Sequence, residues 1–196
     1  MQFTPLAIPE VLLMTPRVFE DERGYFLESY RQSVFEQHAS LPHFVQDNMS
    51  WSRKNVLRGL HYQLNPAAQG KLVHCAVGEI LDVAVDIRVD SPSYGRWVSA
   101  RLDDRAHAML YVPPGFAHGF VVLSEQALVH YKTTGEYAPH LEAGIRWDDA
   151  TLAIEWGVDC PIVSEKDQHL PGFAEAPNNF FQVVAPSGCW MTCPTW

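Results

Sequence analysis

MLYVPPGFAHGFVVLS, residues 109–124, reads as a strand, a Pro-Gly turn and a second strand. Short apolar runs broken by turn residues recur on both sides of it. In ILDVAVDIRV (80–89), Leu81, Val83, Val85 and Ile87 share one face, and Asp82, Asp86 and Arg88 share the other. SPSYG (91–95) then supplies turn chemistry. LVHCAVGEI (72–80) carries Gly78 at a turn or bulge, and ALVHYKTTGEY (127–137) is one more strand. Helical signal is thin: two turns over 31–39, and one over 164–170 with Ser164 as N-cap. Many short, evenly spaced strands predict an all-β sandwich or barrel. From about Gly157 the periodicity fades and Pro and Gly become frequent. That region is expected to wrap on the barrel as part of a single domain spanning 1–196, with 185–196 unassigned.

Composition narrows the function. The 196 residues include 23 acidic and 14 basic side chains, a formal net charge of −9. A nucleic-acid or anionic-membrane binder needs a broad basic field, so neither partner is expected, although a local basic pocket is compatible. No run of about 18 apolar residues predicts a membrane span. The first residues lack the basic and apolar regions of a signal peptide. Cys75, Cys160, Cys189 and Cys193 are too sparse for a disulfide scaffold and form no zinc-like pattern, so free thiols in a reducing cytoplasm are expected.

VLRGLHYQ (56–63) places Arg58 and His61 inside an otherwise apolar segment. Residues three apart point to opposite faces of a regular strand. If both serve one pocket, Gly59 must bend or bulge the chain.

PPGFAHGF (113–120) resembles the second motif of the cupin jelly rolls, whose histidine binds metal in the metal-dependent members. Here the upstream His-x-His is replaced by His61-Tyr62-Gln63, with Glu79 as the candidate glutamate. Losing an imidazole weakens the set a transition metal prefers, so no metal is expected. Read alone, His118 is equally well a core histidine satisfied by a hydrogen bond.

Longer motifs follow in order: FEDERGYFLESY (19–30), QDNMSWSRKNVLRGLHYQ (46–63), GKLVHCAVGEILDVAVDIRVDSPSYGRW (70–97), PPGFAHGFVVLSEQALVHYKTTGEYAPHLEAGIRWDD (113–149) and SEKD (164–167). Together they resemble the dTDP-4-dehydrorhamnose 3,5-epimerases over roughly residues 3–171. The resemblance implies a cupin jelly roll acting without a cofactor on a dTDP-4-keto-6-deoxy sugar. A proton leaves C3 or C5 on one face, an enolate forms, and a proton returns on the other.

It also implies roles by position. His61 is the base, its imidazole held by Asp167; an unperturbed histidine has a pKa of about 6.5, near the working pH. Ser164-x-x-Asp167 by itself reads as a helix cap. Lys71 stands beside the enolate oxygen, where fixed positive charge matters most. Tyr131 is the acid, and an adjacent cation such as Lys71 would lower its pKa. Arg23, Arg58 and Lys166 match substrate-binding positions, the arginine fork suiting phosphate. Phe26, Glu28, Gln46, Asp47, Asn48, His118 and Glu142 match further ligand contacts, and Tyr137 matches the aromatic that stacks on thymine. The family implies a homodimer with shared N-terminal strands, through which Arg23 and Glu28 reach the partner's pocket. A single-centre epimerase, a metal-dependent cupin and an inactive sugar-nucleotide binder are the rivals.

Overall fold

The computed structural model describes residues 1–37 and 43–181. Along the chain run β1 (Gln2–Pro5), β2 (Leu12–Thr15), β3 (Val18–Asp21), β4 (Gly24–Leu27), α1 (Gln32–Gln37), β5 (Gln46–Arg53), β6 (Val56–Gln63) and β7 (Lys71–Val77). They continue as β8 (Glu79–Asp86), β9 (Trp97–Asp103), β10 (Met109–Val112), β11 (Phe116–Val122), β12 (Gln126–Thr133), β13 (Glu142–Gly144), β14 (Ile162–Val163) and α2 (Glu165–Gln168). The expected all-β jelly roll is the observed architecture. One sheet has the order β1-β2-β10-β7-β12-β5; the other has β13-β6-β11-β8-β9, with β14 beside β6; β3 and β4 form a separate hairpin. The helix expected over 31–39 covers Gln32–Gln37, and its last two residues, like Cys189 and Cys193, lie outside the described residues.

The core follows from which face of each strand is apolar. Val73, Ile80, Leu110, Phe116, Phe120 and Val129 meet between the sheets and are at most 4% exposed. β8 has two buried faces. Its Val83 and Val85, with Ile87 just beyond the strand, pack outward beneath Trp156 and Phe180. Ile80 and Ala84 face the sandwich instead. Asp82 and Asp86, on that second face, are fully buried. The period of two was legible; the burial of the acidic face came from tertiary context. Residues after Gly157 lie against the second sheet, where Tyr62 Oη donates to Pro177 O at 2.5 Å and Val89 N to Phe180 O at 3.0 Å.

Gly115 has φ +86° and makes the turn into β11 that Pro113 and Pro114 begin. α1 seats Phe35, wholly buried, against Phe3, Tyr30 and Phe44 over the outer side of the first sheet. Cys75 is buried and Cys160 exposed, and both are free thiols. Among the described residues no helix is long and apolar enough to cross a membrane.

Candidate active site

β6 and β11 pair antiparallel, with His61 opposite His118 and a register shift between His118 and Phe120. The shift lies opposite Gly59, whose φ is +130°. A Cβ there would fall 2.5 Å from Gly119 Cα and 2.9 Å from His118 O. Only two facing glycines let the strands approach this closely. The expected distortion at Gly59 is therefore present, and it lets Arg58 and His61 line the same groove of about 500 Å3.

His61 Nε2 lies 2.7 Å from Asp167 Oδ1. Gly59 N–H donates to Asp167 Oδ2 at 3.3 Å. Ser164 Oγ accepts from Asp167 N at 3.1 Å, so Ser164 caps the short helix α2 while the Asp167 carboxylate is left for His61. Burial pushes the Asp167 carboxyl up, but the hydrogen bond and charge of His61, with the Gly59 and Ser164 bonds, hold it below its ordinary value. It stays ionised at neutral pH and can orient an imidazole and stabilise its protonated form.

Tyr131 comes from β12 in the other sheet and lines the groove with His61, Ser50, Phe120, Val163 and Lys166. Burial raises its phenol pKa, and Arg58 pulls it partly back. The expected effect of Lys71 on Tyr131 is thus replaced by burial as the dominant cause and Arg58 as the opposing cation. Arg58 Nε donates to Ser52 Oγ at 3.1 Å, which steers the guanidinium along the groove wall.

A second lobe shares His61 and Tyr131 and adds Gln46, Asn48, Gln63, Lys71, Tyr137 and Glu142. Lys71 Nζ donates to His61 O at 3.3 Å. Burial lowers the Lys71 pKa to about 8, against the opposing charges of Asp82 and Glu142. Glu142 Oε2 accepts from Tyr137 Oη at 2.7 Å and lies 2.6 Å from Lys166 Nζ. Burial raises the Glu142 carboxyl, but Lys166 and Tyr137 outweigh it and hold it below the usual value.

Other expected site residues lie elsewhere. Arg23 and Phe26 line a cleft of the β3–β4 hairpin, where the Arg23 side chain is 84% exposed and pairs with Asp21. Glu28 pairs with Arg31 at 2.9 Å. Asp47 alternates to the outer face of β5 and meets Lys132 Nζ at 2.7 Å, away from the lobe that Gln46 and Asn48 enter. Glu79 pairs with Arg101 at 2.6 Å and lines neither lobe.

Two features had no clear signal in the sequence. The carboxylate beside His118 is Asp82: its Oδ1 lies 2.5 Å from His118 Nε2. Gln63, which stands in place of an imidazole, is a latch. Its Nε2 donates to Ala67 O at 2.7 Å and Glu136 O at 3.2 Å, and its Oε1 accepts from Ala138 N at 2.8 Å. Among the described residues no group of three or more His, Cys, Asp or Glu is arranged to hold a metal ion.

Comparison with known proteins agrees with this geometry. The dTDP-4-dehydrorhamnose 3,5-epimerase family model matches residues 5–175. The Shigella flexneri enzyme of that name is 53% identical over 170 residues, covering 86% of this chain and 94% of its own. The Pseudomonas aeruginosa enzyme is 53% identical over 178 residues, covering 90% and 98%. The structure of a dTDP-6-deoxy-D-glucose-3,5-epimerase from Legionella pneumophila, in complex with dTDP-4-keto-L-rhamnose, superposes with a TM-score of 0.86 at 41% identity, covering 89% of this chain and 93% of that one. With a jelly roll holding a His–Asp pair opposite a tyrosine and matches of this length, the chain belongs to the dTDP-4-dehydrorhamnose 3,5-epimerase family.

Proposed function

We propose that this enzyme inverts C3 and C5 of a dTDP-4-keto-6-deoxy hexose, turning the 4-dehydro-6-deoxy-D-glucose into the 4-dehydro-L-rhamnose nucleotide. One observation carries the reading: His61, on β6 of one sheet, and Tyr131, on β12 of the other, both line the same groove. Inversion at carbon requires a base on one side of the sugar ring and an acid on the other.

The C4 ketone acidifies its neighbouring carbons. His61, oriented by Asp167, accepts the proton as the C–H bond breaks, and the electron pair moves into an enolate. The Lys71 ammonium stabilises the developing charge on O4. Tyr131, kept protonated by its raised pKa, delivers a proton to the opposite face. Arg58 and Lys166 are the cations for the diphosphate, and Tyr137, 54% exposed at the mouth, is the platform for the base. His118, Gln46, Asn48 and Glu142 surround the bound nucleotide sugar. The reaction needs no cofactor, and the cytoplasm is its natural setting.

The enzyme acts as a homodimer. Phe19, Tyr25 and Phe26 of the hairpin and Val45, Met49 and Trp51 beside or on β5 are 50–71% exposed, an apolar surface of the kind that pairs with another protein. A partner seated there gives Arg23, Phe26 and Glu28 a groove to enter.

The test is incubation with dTDP-4-keto-6-deoxyglucose in deuterated water, followed by NMR of the sugar. Deuterium at both C3 and C5 with inversion supports the reading. Labelling at one carbon alone assigns a single-centre epimerase, and no labelling overturns the reading.

A further inference from the structure

Asp82 is fully buried at the floor of the groove and lines neither lobe. One oxygen meets His118 Nε2, and no described group donates to the other, Oδ2. A buried carboxylate with a single partner is costly and persists where the charge is used. His118 is itself buried. Burial lowers its pKa, with Lys71 and His61 acting in the same direction and Asp82 against them. The imidazole is therefore neutral at neutral pH. It donates its Nε2 proton to Asp82 and leaves the carboxylate's charge intact.

We propose that Asp82 is a positioning residue that acts through space on Lys71, holding the ammonium in its charged form inside the barrel so that it can face the ketone oxygen. This rests on the epimerase reading above. Groups from five strands surround Lys71: His61 on β6, Asp82 on β8, His118 on β11, Tyr131 on β12 and Glu142 on β13. The two carboxylates are the only anions among them. Glu142 is already engaged by Lys166 and Tyr137. Asp82, with one uncommitted oxygen, is the anion left to offset burial of the ammonium.

The chain has four lysines, so a sample labelled with 13C at the lysine ε-carbons lets the Lys71 titration be followed without substrate. Asp82→Asn keeps an acceptor for His118 and removes the charge. The Lys71 midpoint should fall by on the order of one pH unit. The alkaline limb of kcat should move down by the same amount, with KM and dTDP affinity near those of the parent. The reciprocal measurement uses Lys71→Met, in which the Asp82 carboxyl should titrate at higher pH than in the parent, as linkage requires. An unmoved Lys71 midpoint in folded Asp82→Asn overturns the proposal. If that variant does not fold, an unmoved Asp82 in Lys71→Met overturns it instead. Neither titration depends on turnover. A parent enzyme that exchanges no sugar hydrogen would refute the epimerase reading, while the titrations still decide the link between Asp82 and Lys71.

Discussion

His61 and His118 stand opposite one another on neighbouring strands, and each turns its Nε2 to a carboxylate of its own, Asp167 at 2.7 Å and Asp82 at 2.5 Å. The pairs differ in exposure. The His61 side chain is 30% exposed, and that of His118 is 8%. Only the first is open enough to exchange a proton with a substrate.

Asp167→Asn should lower kcat by on the order of 10²–10⁴, the range for loss of a well-placed acid–base group. Ser164→Ala is the control, because it removes the cap and leaves the carboxylate on His61. It should cost about 1 kcal/mol in stability and less than tenfold in rate. Steady-state kinetics with urea unfolding separates the two. Equal losses of activity would mean that Asp167 acts only through the helical turn.

Tyr131→Phe should still wash deuterium into the sugar, since exchange needs only the base, yet form little inverted product. The phenyl ring preserves the packing of Tyr131 against the core. NMR of the product in deuterated water reads exchange and inversion together. Inversion at the parent rate would leave Tyr131 as packing.

The pH profile should break on its alkaline side near pH 8. Lys71 has a pKa lowered to about 8 from 10.5, so its ammonium is present below that pH and lost above it. If it stabilises the enolate, kcat is level below the break and falls about tenfold per pH unit well above it. Asp167, held below its ordinary value, adds no limb near neutrality. Lys71→Met should abolish the break along with most of the activity.

Gly59→Ala should destabilise the fold by about 2–4 kcal/mol through backbone strain and overpacking. The new methyl would meet Gly119 Cα and His118 O, neither of which is a flexible side chain. Urea unfolding with an unchanged slope measures the loss. A parent-like midpoint would show that β6 has an unstrained alternative path.

The alternation of β8, the Pro-Gly turn before β11 and the distortion at Gly59 were legible because each follows from local geometry: period two, positive φ and the parity of Arg58 and His61. Asp82 was read only as a member of the polar face of β8; its pairing with His118 depends on β11 lying alongside. Asp47 stands between Gln46 and Asn48 in the motif, but strand alternation sends it to the opposite face. Arg23 lies in a hairpin whose relation to a groove depends on a second chain, which no local pattern specifies.

Gln63 makes one corner of the barrel an exclusive choice. Its amide spends both ends on the backbone of Ala67, Glu136 and Ala138, tying down the loop that carries Tyr137. A histidine there would restore the metal-binding pattern of other cupins only by releasing that loop. The first step toward a metal enzyme therefore weakens nucleotide capture before any new ligand field exists. A lineage can reach one use of this corner or the other, but the intermediate serves neither well, and the latch makes the change hard to reverse by single substitutions.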